Sequence, residues 1–144
     1  MAQKFRNQSE SLVGTYREIQ NLLADIYDLD AQSYIAWAKY QERRDTLDAT
    51  IPIELKHDLD SWSDEQFMAF YEAQITLYSK LIYFENKMAD KHKEISEKYT
   101  SLNDKELSAF YKNQRECYSV RFEQNRRSFE KAALALFARR SARL

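Results

Sequence analysis

Glu54, His57, His92 and Cys117 are the residues of this 144-residue chain whose types suit chemistry beyond ion pairing. Glu54-x-x-His57 has the i, i+3 spacing of di-iron helical bundles, in which a carboxylate and an imidazole project from one helix face toward a metal. Such centres need two of these motifs and two further inward Glu residues, yet the other histidine, His92, has Ala89 three positions earlier. No metal is expected, and both histidines, set among Lys, Asp and Glu, read as solvated surface. Cys117, the single thiol, would need a nearby base or a helix N-terminus to act as a thiolate nucleophile. Its place seven residues after Phe110, mid-helix on a partly buried face, predicts a small apolar packing role instead. The chain also lacks a Gly-rich phosphate loop, a Gly-x-Ser-x-Gly elbow and clustered zinc-ligand pairs. No catalytic residue, cofactor or small-molecule substrate is expected, and an enzyme is the class the sequence supports least.

Binding chemistry has more to work with. Residues 1–102 carry 12 Lys/Arg against 18 Asp/Glu, a net of −6, whereas residues 103–144 carry 10 against 5, a net of +5. The candidate anion-binding residues are therefore C-terminal: Arg126, Arg127, Lys131, Arg139, Arg140 and Arg143. Two physical readings compete for them. Cations at a helix C-terminus offset the negative end of its dipole by about 0.3 to 1 kcal/mol each, with no partner needed. Alternatively they hold phosphates of nucleic acid or of an anionic membrane, although they scatter around the helix and the acidic remainder would repel a polyanion. The second candidate set is aromatic. Eight Phe, ten Tyr and two Trp exceed what a slim helical interior usually holds, and tyrosine, with its apolar body and polar tip, suits partly wet contacts. Most of these rings are expected to cap bundle ends and line helix seams, but Trp62 lies in the connection and Tyr27, Tyr34 and Tyr83 off the strongest part of their stripes; with Trp37 they form the candidate partner-binding set.

The elements that must position these residues are helices. One Gly and one Pro leave little material for tight turns, so a hairpin-rich β fold or a dinucleotide-binding α/β fold has little support. Apolar residues recur at three- and four-residue steps from Phe5 through Leu12, Tyr16, Ile19, Leu22, Leu23, Ile26, Leu29, Trp37, Tyr40 and Leu47, predicting a first helix over about 4–48. Asp28-Leu29-Asp30 is where it would kink or split, because Asp competes for backbone bonds. Pro52 ends it, and residues 49–62 form the main connection. Ser63 followed by Gln66 is a capping-box pattern that opens a second helix over about 64–99. Asn103 followed by Glu106 repeats the signal after a connection too short for anything but an antiparallel return. The third helix then runs over about 104–139 with Leu107, Phe110, Tyr111, Tyr118, Phe122, Phe129, Ala133, Leu136 and Phe137 inward. Residues 61–79 and 101–119 also share eight of nineteen positions, a match that fits either a duplicated unit or two similar helix starts. The fold class predicted is all-α, a single domain over residues 1–144 forming an elongated antiparallel bundle of three long helices.

No apolar run approaches the roughly 18 residues of a membrane span, the first fourteen residues lack the apolar stretch of a secretory signal, and one Cys forms no internal disulfide. These features predict a soluble protein of a reducing compartment, the cytoplasm. The passage from Pro52 to Leu81, with Phe67, Phe70, Tyr71, Gln74 and Tyr78 after a proline-broken connection, resembles the later helices of BAR-type membrane-curvature domains over about a fifth of the chain. The resemblance implies an anionic membrane surface as partner, met by basic residues along a concave face, which residues 52–99 do not supply. It feeds only the second of two functional expectations. The first is a non-catalytic protein-interaction module, an adaptor, scaffold subunit or inhibitor, that pairs with itself or a protein partner through aromatic-rich helix faces. The second is an anionic-surface binder using the basic C-terminal helix.

Overall fold

The computed structural model describes residues 2–142, apart from the side chains of residues 2, 4, 5, 7 and 9. Phe5 as a packing residue and Arg143 as an anion ligand thus lie outside what is described. Three α-helices make an all-α, antiparallel three-helix bundle: α1 Ala2–Asp48, α2 Asp64–Ser101 and α3 Lys105–Ala142, with 3-10 turns at Ile53–Leu55 and Leu59–Ser61 in the first connection. The chain packs as two compact units, each holding a segment of every helix. Unit 1 comprises Met1–Ala31 with Phe84–Arg121, and unit 2 comprises Gln32–Tyr83 with Phe122–Leu144.

Unit 1 is built on aliphatic residues at helical spacing. Ile19, Leu22, Ile26 and Leu29 of α1 meet Met88 and Ile95 of α2, with Tyr99, Tyr111 and Tyr118 packed against them. Ile95 is fully buried. Lys91 binds Asp25 at 3.2 Å and Lys98 binds Glu18, so seven residues forward on α1 match seven backward on α2, the signature of antiparallel helices. α1 is not split at Asp28–Asp30. Leu29 there is buried in this core, and the packing outweighs the weak preference of Asp for caps.

The turn between α2 and α3 departs by one residue from the predicted cap. Asn103 adopts φ 60°, and the Asp104 and Asn103 amides donate to the carbonyls of Tyr99 (2.9 Å) and Thr100 (3.0 Å). That is a Schellman closure of α2, with Asn in the left-handed position that glycine most often fills. Asp104, not Asn103, caps α3, its carboxylate accepting from the Leu107 amide at 3.1 Å.

Unit 2 divides its core in two. Ala36, Leu77 and Leu81 pack with Tyr40 and Tyr78, while Leu47, Ile51 and Trp62 pack with Leu55, Leu59 and Phe70. The capping box forms as read, with the Ser63 amide donating to Gln66 Oε1 (3.0 Å) and the Gln66 amide donating to Ser63 Oγ (3.1 Å). Gln66 Nε2 also donates to the Thr50 carbonyl at 3.1 Å, which ties the end of α1 to the start of α2.

Several residues expected inward point to solvent. Phe110 and Phe137 are exposed, as are Leu107, Leu12, Tyr16 and Trp37. On α3, Tyr111, Tyr118, Phe122, Phe129 and Leu136 make one line that is half-buried or buried. Phe110 and Phe137 each sit one residue off it, about 100° around the helix.

Candidate functional site

The residues with chemical potential scatter. Glu54 lies in a 3-10 turn and His57 follows it in a turn, both exposed, so they share no helix face. Among the described residues, no three or more His, Cys, Asp or Glu gather where a metal ion could sit. Cys117, expected to be partly buried, is exposed. His92, expected on the surface, is 5% exposed. Its ring stands edge-on to Tyr118 and Tyr111, at centroid distances of 5.0 and 6.0 Å, and its Nδ1 has no hydrogen-bond partner among the described residues. Burial pushes this imidazole below its ordinary pKa, because the charged form would lose its hydration. The same desolvation pushes the Tyr111 and Tyr118 phenols up. These groups are packing residues of unit 1, and burial favours the uncharged imidazole.

The aromatic set separates clearly. Trp62 is 5% exposed, its indole N–H donating to the Leu55 carbonyl at 2.7 Å and its ring edge-on to Phe70 at 5.4 Å. It belongs to the core of unit 2 and presents no surface. The other four are exposed: Tyr27 at 74% in unit 1, and Tyr34 at 71%, Trp37 and Tyr83 in unit 2. Tyr34 and Trp37 share a face of α1 at i, i+3 spacing, Ile35 beside them is exposed as well, and Trp37 stands edge-on to Tyr40 at 6.0 Å. Sequence reasoning placed Leu12, Tyr16, Phe110 and Phe137 inward and passed over Ile35; a helix longer than its packing partners can cover carries apolar residues on more than one face, and periodicity alone does not say which face is covered.

The basic set divides into one buried clamp, exposed ion pairs and unpaired cations. Arg139, its side chain 13% exposed, donates to Asp64 Oδ1 at 3.1 Å, to the Leu59 carbonyl at 3.2 Å and to the Trp62 carbonyl at 2.7 Å. Its guanidinium lies 4.2 Å from the centre of the Phe67 ring. This arginine fastens the end of α3 to the α1–α2 connection, with a bond from each of its three nitrogens inside the fold. Arg126 is held by Glu123 and Glu130 at 2.9 and 2.6 Å, and Arg140 faces Glu72 at 3.7 Å. Arg127 and Lys131 remain without an ion pair to a described residue.

Between α2 and α3 of unit 2 lies a cleft of about 330 Å³. Phe70, Tyr71, Gln74 and Tyr78 line it from α2. Ser128 and Ala132, small residues one turn apart, line it from α3 beside Lys131. The cause of the opening is visible in the sequence: two short side chains face a row of rings, and the rings cannot close the gap. Set against protein-family models, curated proteins and solved structures, the chain matches none. What the site can do is therefore argued from its geometry. It offers an exposed aromatic face on α1, an arginine clamp that braces the connection and an aromatic cleft with one cation. None of the helices, among the described residues, is long and apolar enough to cross a membrane.

Proposed function

We propose that this protein is a non-catalytic interaction module that pairs with itself or another protein through exposed aromatic helix faces, chiefly the Tyr34 and Trp37 face of α1. The supporting observation is that these neighbouring side chains, with Tyr83 on α2, stand in solvent although the unit has a core of its own. Single exposed apolar residues are ordinary, whereas adjacent ones mark contact surfaces. Tyr and Trp also carry a disproportionate share of binding energy where interfaces form. Tyr27 is a second exposed ring on unit 1 that such contacts would cover.

Sedimentation equilibrium of the full chain tests this reading. The expected result is concentration-dependent association, weakened at least about tenfold in the double variant Tyr34→Ser, Trp37→Ser, whose circular dichroism should match the parent. A monomer throughout, which also captures no protein partner through these residues, would refute it. Salt-sensitive retention on anionic vesicles or DNA, lost on substituting Arg127 and Lys131, would shift the function to anionic surfaces instead.

A further inference from the structure

We propose that the unit 2 cleft is a binding site for a small, planar organic carboxylate, an aryl or indolyl acid. The inference is independent of the contact surface on α1. Its volume of about 330 Å³ lies at the lower end of ordinary small-molecule sites. Three features choose the ligand. Phe70, Tyr71 and Tyr78 supply ring faces and edges for a flat apolar body. Lys131 is the one lining residue charged at neutral pH, and it has no carboxylate partner among the described residues. The side chains of Gln74 and Ser128 and the hydroxyls of Tyr71 and Tyr78 likewise make no hydrogen bond to a described residue.

Elsewhere in unit 2 several polar side chains are spent on the fold, Gln66 on Ser63 and Thr50, Arg139 on two carbonyls and Asp64, and Ser61 on Asp58, whereas the polar groups of the cleft are open to a ligand. A donor-rich wall with a single unpaired cation and an aromatic floor complements an anion carried on a ring. A cationic ligand would meet Lys131 unfavourably. A neutral one would forgo the charge-assisted bond, which is about twice as strong as its neutral counterpart.

The test uses the full chain, labelled with 15N, titrated separately with benzoate, 2-naphthoate and indole-3-acetate, with 2-naphthamide as the uncharged control. The expected result is saturable shifts at the amides of residues 70–78 and 128–132 for at least one acid. The amide should bind at least about tenfold more weakly than its acid, and Lys131→Ala should weaken the acid by a similar factor. Ser128→Leu, which fills the cleft from α3, should abolish binding, and Lys131→Ala at an exposed position guards against a variant that merely misfolds. No binding by any acid up to about 1 mM, a Kd equivalent to some 4 kcal/mol, would overturn the proposal. So would equal affinity for acid and amide, or shifts confined to other residues. If the cleft amides respond to protein concentration alone and to none of the acids, the occupant is a second copy of this chain and the proposal fails.

Discussion

Unit 1 and unit 2 are both cut from the same three helices, yet they solve the packing problem with different materials. Unit 1 interdigitates branched and flexible aliphatics, Ile19, Leu22, Ile26, Leu29, Met88 and Ile95, in one cluster. Unit 2 splits its core into two smaller clusters, Ala36 with Leu77 and Leu81 and Leu47 with Ile51 and Trp62, sets the small Ala132 beside the rings of Tyr71 and Tyr78, and lays arginines over rings. Arg44 lies 4.7 Å from the centre of the Phe70 ring and Arg139 lies 4.2 Å from that of Phe67. Among the described residues, each unit also keeps one buried nitrogen without a hydrogen bond, His92 Nδ1 in unit 1 and Arg44 Nε in unit 2. The imidazole can shed its proton to avoid the cost of a buried charge, whereas the guanidinium keeps its charge, is partly exposed, and has the Asp48 carboxylate at 3.9 Å, the Tyr40 hydroxyl at 3.0 Å and the Phe70 ring as partners. A core built this way is held at a few long-range polar points, and between those points it leaves an opening.

The matching stretches 61–79 and 101–119 sharpen the contrast. Phe70 and Tyr71 meet edge-on at 4.9 Å, and Phe110 and Tyr111 do the same at 5.1 Å. Chain adjacency alone sets that pair geometry. In unit 2 the Phe is then covered by Trp62 and Arg44, whereas in unit 1 the Tyr stacks on Tyr99 at 5.6 Å and the Phe is left in solvent. Identical residues take different roles because their neighbours on the other helices differ.

Substitutions can break this comparison in a definite order. The largest effect is expected from Trp62→Ala, which empties the second cluster of unit 2 and removes the indole bond to the Leu55 carbonyl; thermal or denaturant unfolding should show a loss of about 3–5 kcal/mol. Arg139→Ala comes next, at about 2–4 kcal/mol, since it removes charge-assisted bonds to two carbonyls and a carboxylate at once. A loss under about 0.5 kcal/mol would mean that the clamp contributes little and that unit 2 is held by apolar packing as unit 1 is.

His92 supplies a pH signature confined to unit 1. Its pKa in the folded state lies below the unfolded value of about 6.5, so the unfolded chain binds a proton more readily. Its contribution is therefore intact above that value and is lost progressively as pH falls below it. His92→Leu should remove this acid sensitivity from stability curves measured between about pH 7 and 5 while changing stability near neutrality by no more than about 1 kcal/mol. An unchanged pH slope would show that His92 is hydrated. The smallest effect belongs to the half-exposed pair of Lys91 with Asp25: Lys91→Ala should cost about 0.2–1 kcal/mol and less in high salt.

Much of the fold was legible because its signals are local. Pro52 stops α1, Ser63 and Gln66 cap α2, and the aliphatic spacing from Ile19 to Leu29 marks the buried face. The Asn103 cap failed by one residue because Asn and Asp adjoin at a helix boundary and either side chain can cap, while only the closing turn decides which takes the left-handed position. Depth was harder to read. Trp62 looks like a loop aromatic until the connection folds back over Leu47 and Ile51, and His92 looks solvated among its charged neighbours in sequence. Arg139 was the least legible: a cation near a helix C-terminus is already explained by the dipole, and its carbonyl acceptors lie 77 and 80 residues earlier. The cleft left a faint trace, Ser128 and Ala132 one turn apart, which acquires meaning only opposite the rings of α2.

The chain holds two tryptophans that report on opposite sides of the main functional proposal, Trp37 in solvent and Trp62 in the core. 19F NMR of the 5-fluorotryptophan-labelled protein, with a soluble paramagnetic agent to report accessibility, reads both in one sample. With Trp37 in a contact surface, its resonance broadens strongly at low protein concentration and becomes protected as concentration or a bound partner rises, while Trp62 stays protected throughout. A Trp37 resonance that remains equally accessible at every concentration and with every protein partner offered would contradict it.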